Sequence, residues 1–381
     1  MPADSPLSNI FGTTSNLYDA SATMRYEVDL WGRLSRGREA ALATLIASVQ
    51  DQRAVAQGLI AEVVRTWLVI RELQLQVALT QRTVANFQEN LTTVRDRYRR
   101  GLVSALDVHL AGQNLAAAQA VGPVFNQQLA AARRRLEIMV GRYPAGDIMA
   151  SDLDNPGGFL DEEIMPEPLA PVPAGLPAEL LERRPDLQAA ELRLHASTAR
   201  IGEARAALYP RLSLTASAGT KSRELSGLFT DTSNYWNLAG NLFMPLLNRG
   251  ATQAQIKAAE ARTQQATATW RKAVLQAFGE VENALDQDIY QAQQESYLTD
   301  STNRARSAVN LAQDRYRRGL DNLLITLESQ RRLFNAESQL LTTQRARRSA
   351  RVNLIQALGG PWETDPDQTL TTTNPEEGAQ P

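Results

Sequence analysis

The heptapeptide Asp-Arg-Tyr-Arg-Arg-Gly-Leu occurs twice, at Asp96–Leu102 and at Asp314–Leu320, and the same offset of 218 positions aligns residues far from it without a gap. Phe11 falls on Phe229, Thr14-Ser15-Asn16 on Thr232-Ser233-Asn234, Gly32 on Gly250, Glu62 on Glu280, Leu136 on Leu354 and Gly141 on Gly359. The chain is a duplication. Each copy, of about 130 residues or more, must build the same unit and present pseudo-equivalent surfaces.

Proline placement indicates what that unit is. No proline lies between Pro6 and Pro123, or between Pro245 and Pro361, and a proline in a helix interior costs roughly 3 kcal/mol. Ala, Gln, Glu, Arg and Leu fill these stretches. Ile60, Val63, Val64, Trp67 and Ile70, and in the second copy Val274, Phe278, Val281 and Leu285, recur at the spacing of an apolar helix stripe. Gly32 to Gly101 as one helix would extend about 100 Å at ~1.5 Å per residue, far beyond the roughly 8 to 20 residues of an ordinary globular helix. Each repeated heptapeptide then reads as a helix end, with Arg in the last turn and Gly101 or Gly319 free to take a left-handed cap. A second helical run follows each turn, from Ser104 to about Val140 and from Asn322 to about Leu358, so each repeat carries a long helical hairpin. A well-made C-cap would by itself account for the local chemistry of the turn.

Before the first long helix the period changes. Tyr18, Ala20, Ala22, Met24, Tyr26, Val28 and Leu30 alternate with Asp19, Ser21, Thr23, Arg25, Glu27 and Asp29, one face apolar and the other largely charged or polar. In the second repeat Leu212, Leu214 and Ala216 alternate with Ser213, Thr215 and Ser217. A polar loop is expected from Gly219 to about Tyr235, with Trp236, Leu238, Leu242 and Met244 on a returning strand. This pattern predicts a β-hairpin. Tilted strands of about 9 to 11 residues cross a bilayer, and apolar-out, polar-in alternation edged by aromatics marks an outer-membrane barrel. A half-buried strand of a soluble sheet is the alternative, but immense helices following so few strands could not cover such a sheet.

The remaining composition excludes more than it assigns. A net charge of −2 argues against a basic nucleic-acid surface, and no run of 18 apolar residues provides a transmembrane helix. With no cysteine there can be no thiol catalysis or cysteine-zinc site. His109 and His195 lack a second histidine at ligand spacing and read as structural or exposed. No nucleophile elbow, phosphate-binding glycine loop or paired-carboxylate site is present, and Asp161-Glu162-Glu163 reads as a solvated run. Neither an enzyme active site nor a cofactor or metal is expected. Eight of the 17 prolines lie between Pro144 and Pro185. The organisation expected is a first repeat over 1–142, a Pro-rich linker over 143–182, a second repeat over 183–360 and a disordered tail over 361–381.

The residues Tyr26-Glu27-Val28-Asp29-Leu30-Trp31-Gly32-Arg33, Leu176-Pro177 through Leu180-Leu181 to Arg183-Arg184-Pro185-Asp186, Tyr209-Pro210, Ala218-Gly219, Leu225 to Phe229 and both Tyr-Arg-Arg-Gly turns resemble the TolC-like outer-membrane factors. Within that class they are similar to the NodT-type lipoproteins of resistance-nodulation-division efflux systems. The resemblance implies a mainly α fold with a small β part, in which duplicated helical hairpins form an α-barrel tunnel and β-hairpin strands join a trimeric transmembrane β-barrel. It implies a homotrimer embedded in outer-membrane lipid, four strands per protomer, and a periplasmic adaptor and an inner-membrane transporter as partners. The function implied is that of a passive exit duct. A type I protein-secretion duct and a cytoplasmic structural coiled coil remain as alternatives.

The resemblance also assigns residues. Gly101, Leu102, Ser104, Gly319 and Leu320 would be adaptor-contacting hairpin tips. Leu324 and Glu328 would form constricting rings at the periplasmic aperture, with Arg331 holding Glu328 from the same helix face. Position 110, the counterpart of Glu328, is Leu110, so the acidic ring is expected from one repeat only. Against the family pattern, the first helix and first strand of repeat one, a secretion signal and the lipid-bearing cysteine are expected to be missing, as in an N-terminally truncated member.

Overall fold

The computed structural model describes residues 16–146, 165–167, 177–245 and 249–360. Phe11, Thr14, Ser15, the Gly157-Gly158 and Asp161–Glu163 parts of the linker and the tail after Pro361 lie outside the described residues. Element order is β1 (Tyr18–Val28), α1 (Arg33–Arg99), α2 (Ala105–Met139), α3 (Pro177–Arg183), α4 (Pro185–Ala206), β2 (Arg211–Ser222), β3 (Asn234–Phe243), α5 (Arg249–Arg317) and α6 (Leu323–Ala357), with two short 3-10 turns between β2 and β3. The fold is mainly helical with one small antiparallel sheet. The duplication holds in three dimensions: the bounds of α2, shifted by 218, are those of α6, and α1 shifted likewise ends where α5 ends.

Two compact units form, and neither coincides with a sequence repeat. One comprises residues up to Val49 with Ala189–Lys272, and the other Gln50–Gln188 with Ala273 onward; α1 and α5 each contribute to both.

In the first unit the strands pair in the order β1-β2-β3. Tyr18 lies opposite Ser222 and Val28 opposite Leu212, while Arg211 lies opposite Phe243 and Thr220 opposite Asn234. Because paired residues share a face, this register collects Ala22, Met24, Tyr26 and Val28, Ala218, Ala216, Leu214 and Leu212, and Trp236, Leu238 and Leu242 on one side. The other side holds Asp19, Arg25, Glu27, Lys221, Thr215, Asn237 and Asn241. The apolar side is open, with Trp236 80% exposed and Met24, Leu238 and Leu242 also exposed. The expected polar loop is shorter than its sequence suggests. Gly219 belongs to β2, because Ala218–Ser222 continue the ladder with Tyr18–Ala22, and Met244 falls just past β3.

The joint between sheet and helix uses the Tyr26–Arg33 motif. Asp29 accepts from the Leu34 and Ser35 amides at 3.0 and 2.8 Å, satisfying two orphan N–H groups at the start of α1. Arg33 pairs with Glu27 at 2.8 Å, and Trp31 stacks on Tyr209 at 4.7 Å while its indole N–H donates to the Pro210 carbonyl at 2.9 Å. Alanines then carry the packing of α4 on α1, through Ala40, Ala43, Ala196 and Ala199.

In the second unit, apolar clusters tie α1 to α2 (Ile70, Leu73, Leu129, Leu136), α1 to α6 (Ala61, Leu68, Val352) and α3 to α5 and α6 (Leu180, Val281, Leu354, Leu358). The Arg183-Arg184-Pro185-Asp186 motif closes the last of these. Pro185 starts α4, and the buried Arg184 guanidinium meets Asp186 at 2.7 Å, Glu280 at 2.7 Å and the Ala357 carbonyl at 3.3 Å. Burial alone would raise the Asp186 pKa, but Arg184 outweighs it and holds the carboxyl below its usual range. A depressed carboxylate adds stability above the ordinary carboxylate range and loses it as pH falls through the lowered value. Arg184→Met is therefore expected to destabilise by about 1–3 kcal/mol at neutral pH, and by less in acid. Thermal unfolding of the purified protein at two pH values checks this.

Candidate aperture and hairpin tips

The two tips repeat in detail. Gly101 and Gly319 both have φ of 73°. Leu102 donates its amide to the Arg97 carbonyl and Leu320 to the Arg315 carbonyl, each at 2.9 Å, while Gly101 and Gly319 close the tighter bonds to Tyr98 and Tyr316. Both ends are thus Schellman-type caps, which need a left-handed residue. The following N-caps, Ser104 and Asn322, share φ −84° and ψ 161°. Ser104 forms a capping box with Asp107, whereas Asn322 accepts only from the Ile325 amide at 3.2 Å, because Ile325 stands where repeat one has Asp107. Leu102 and Leu320 project outward and are exposed.

The tips differ in what their arginines hold. Arg97 reaches the end of α5, donating to the Tyr316 and Arg317 carbonyls at 3.2 and 3.1 Å and lying over the Tyr316 ring at 4.4 Å. Its counterpart Arg315 stays in its own turn and pairs with Asp321 at 2.6 Å; that hydrogen bond holds the Asp321 carboxyl below its usual range. The sequence marks both arginines as last-turn cations but carries no signal that Arg97 caps the other repeat's helix.

Along α6 the residues separate cleanly. Leu323, Thr326, Leu327 and Gln330 are buried, the two leucines in a cluster with Phe87, Leu91, Val94 and Tyr316, and Gln330 accepts from Asn90 at 2.7 Å. Leu324 and Ile325 are exposed, and Glu328 lies at the edge of exposure. Arg331 donates to Glu328 at 2.7 Å, and Arg332, which sequence reasoning missed, donates at 2.8 Å. The signal for Arg332 was available in its i,i+4 spacing from Glu328. Hydrogen bonds from Arg332 and then Arg331 hold the Glu328 carboxyl below the usual range. In repeat one the equivalent Leu110 packs against the hydrophobic cluster, so the two repeats are chemically unlike here.

His195 lies 3.3 Å from Glu39 as a half-exposed pair. Among the described residues no group of His, Cys, Asp or Glu could hold a metal, and no helix is long and apolar enough to cross a membrane.

Residues 3–142 and 176–360 match the outer membrane efflux protein family, with the match interrupted over the Pro-rich linker. The chain is 34% identical over 374 residues to the toluene efflux pump outer membrane protein TtgF of Pseudomonas putida, covering 98% of this chain and 75% of that protein. It is also 34% identical over 362 residues to outer membrane protein OprJ of Pseudomonas aeruginosa, covering 95% and 74%. Among solved structures, the open state of the MtrE outer membrane channel of Neisseria gonorrhoeae superposes with a TM-score of 0.78 at 28% identity, covering 91% of this chain and 81% of that one. A small sheet with a bare apolar face, two helical hairpins with matched tips and these likenesses agree: the chain belongs to the outer membrane efflux protein family and is an efflux channel of the bacterial outer membrane.

Proposed function

We propose that three copies of the chain close into one duct, with the sheets joined edge to edge in outer-membrane lipid and the hairpins extending into the periplasm. The duct carries drugs or other small organic molecules outward without chemistry of its own. A periplasmic adaptor meets it at Gly101, Leu102, Ser104, Gly319 and Leu320, and an inner-membrane resistance-nodulation-division transporter loads it. Leu324, Glu328 and Arg331, joined by Arg332, form the aperture ring from repeat two.

One observation carries this reading: the apolar face built by Met24, Tyr26, Trp236, Leu238 and Leu242 is solvent-exposed in the single chain, and such a face on strands of 10 to 12 residues requires lipid to cover it. Among the described residues both outer strands also present an unpaired edge, which barrel closure by neighbouring copies would remove. Relatives named as efflux pump outer membrane proteins favour small-molecule efflux over protein secretion, and the lipid-seeking face argues against a cytoplasmic scaffold. The protein is expected to fractionate with outer membranes and to run as a trimer in mild detergent. A monomer that stays soluble without detergent would overturn the reading.

The tip assignment has its own test. A Cβ at Gly101 or Gly319 would meet nothing within 4 Å, so the cost of substitution is the positive φ alone, about 1 kcal/mol or more for a β-branched residue at each. Gly101→Val combined with Gly319→Val is expected to lower efflux severalfold in drug-accumulation assays while the trimer survives. Unchanged efflux would remove the tips from the adaptor contact.

A further inference from the structure

We propose that the cleft between α1 and α4, next to the sheet, binds the headgroup of a phospholipid carrying both a phosphate and a primary ammonium, as phosphatidylethanolamine does. The proposal rests on the lipid-embedded sheet proposed above and adds a specific lipid site to it.

The cleft encloses about 420 Å³ and is lined by Arg36 and Glu39 of α1 and by His195, Thr198, Gly202 and Arg205 of α4; small-ligand clefts span roughly 300 to 1,000 Å³. Both arginines stand at the sheet end of their helices. α1 begins at Arg33 and α4 ends at Ala206, so Arg36 and Arg205 lie within about one helical turn, ~5 Å, of the junction. Gly202 makes room for the first of them: a Cβ there would stand 3.2 Å from Arg36 Cγ, so the stem of Arg36 lies close against α4. Arg36 engages Glu39 through Nη1 at 2.7 Å, and Arg205 engages Glu260 through Nη2 at 2.8 Å. A guanidinium has five donors, which leaves several on each arginine for a ligand.

The cleft opens away from the polar side of the sheet. That side continues onto the helices through Arg33, which pairs with Glu27, and through Glu203, whose carboxylate lies 3.4 Å from where a Cβ on Gly37 would be. Gly37 and Glu39 are two positions apart and therefore about 200° apart around α1. On α4, His195, Thr198, Gly202 and Arg205 recur at helical spacing and form a stripe that leaves Glu203 to one side. The cleft thus belongs to the face continuous with Met24, Tyr26, Leu238 and Leu242, the face that seeks lipid. Trp31 and Tyr209, stacked at 4.7 Å and each about half exposed, stand at the same junction; aromatics of this kind settle at headgroup level.

The order of charges selects the headgroup. Glu39 lies one turn further from the sheet than Arg36, with Oε2 on Arg36 and Oε1 3.3 Å from His195 Nε2, and a carboxylate retains acceptor capacity beyond two partners. In phosphatidylethanolamine the phosphate adjoins the acyl-bearing glycerol and the ammonium lies beyond it. A lipid whose chains cover the apolar side of the sheet therefore brings its phosphate to Arg36 and Arg205 and its ammonium to Glu39. A headgroup with the phosphate alone leaves Glu39 unanswered.

Purified protein in mild detergent, given dioleoyl-phosphatidylethanolamine and dioleoyl-phosphatidylglycerol in equal amounts, is expected to retain the ethanolamine lipid severalfold more in native mass spectra. Arg36→Gln with Arg205→Gln should lower retention of both lipids severalfold, and Glu39→Gln should erase the preference while phosphatidylglycerol is still retained. Gly202→Leu fills the cleft without changing charge and should also lose the lipid. Arg304→Gln with Arg306→Gln, an equal loss of charge on α5, should behave as wild type. Inorganic phosphate should not displace the ethanolamine lipid; displacement would make the cleft a simple anion site and overturn the lipid assignment. Protein that resides in outer membranes but retains the two lipids equally, or whose lipid retention is untouched by Arg36→Gln with Arg205→Gln, would overturn the headgroup site alone. Protein that stays soluble without detergent would overturn the lipid-embedded sheet as well.

Discussion

Gly219→Val is expected to abolish assembly of the channel. Gly219 lies in β2 opposite Ser21 of β1, and a Cβ there would run into the Ala20 carbonyl oxygen and stand 2.7 Å from both Cα and Cβ of Ser21. Two of those atoms are backbone, so no rotamer change relieves the overlap; the strands must separate or the register must slip. A one-residue slip would turn the whole apolar set of β1 to the polar side. Either outcome costs at least about 3 kcal/mol, and because β2 is the partner of β1 along its whole length, from Tyr18 to Val28, within the described residues, the entire strand is at stake. The control is Gly240→Ala on β3, whose added Cβ would approach only the Leu214 side chain, at 3.7 Å. Gly219→Val should reach the outer membrane at a small fraction of the wild-type level and yield no trimer in mild detergent, while Gly240→Ala should match wild type in both. Normal trimer from Gly219→Val would mean that β1 and β2 do not approach as described.

The contrast between Gly219 and the tips shows what the sequence could disclose. At Gly101 and Gly319 the signal is local: an arginine-rich last turn followed by glycine is a helix stop wherever it occurs, and the helix expected between Gly32 and Gly101 spans Arg33 to Arg99. Alternation from Tyr18 to Leu30 is local as well, and it announces a strand with two unlike faces. What lies opposite that strand is not local. The pairing of Tyr18 with Ser222 joins residues about two hundred positions apart, and nothing in either segment names the other, so Gly219 reads as the start of a loop. Proline shows the limit of a composition argument. Its absence marks the long helices, yet Pro123 lies inside α2, where its ring frees the carbonyl of Gln119, an exposed residue whose carbonyl water can satisfy. The motif residues became interpretable only with the structure. Trp31 and Tyr209-Pro210 are one stacked contact, and Arg184 and Glu280 are one ion pair, although the sequence presents each member separately. On α6, i,i+3 and i,i+4 spacing from Glu328 was sufficient for Arg331 and equally so for Arg332, and the second arginine changes the behaviour expected of the proposed aperture.

If only Arg331 latched Glu328, Arg331→Ala would release the carboxylate outright; with Arg332 also donating at 2.8 Å, the single substitution should loosen the aperture only partly. Arg331→Ala with Arg332→Ala leaves Glu328 without either partner, and around a threefold axis three such carboxylates repel across a narrow, partly desolvated ring more strongly than in bulk water. In planar bilayers the double variant should conduct severalfold more than wild type, with Arg331→Ala between them. Cation selectivity should persist in both, because the acidic ring is intact, and should decline in Glu328→Ala. Acid provides an independent arm. In wild type the arginines hold the Glu328 carboxyl below its usual range, so the latch is present at and above the ordinary carboxylate range and is lost only as pH falls through the lowered value. The double variant lacks that support, and mutual repulsion raises its carboxyl pKa, so its cation selectivity should fade at a higher pH than that of wild type. Leu110→Ala, at the pseudo-equivalent position in repeat one where Leu110 packs against a hydrophobic cluster, removes no charge and should change neither conductance nor selectivity through electrostatics. Equal conductance, selectivity and acid response in wild type, the double arginine variant and Glu328→Ala would remove the constriction from this stripe of α6 and leave Glu328 with its two arginines as a solvated helix surface.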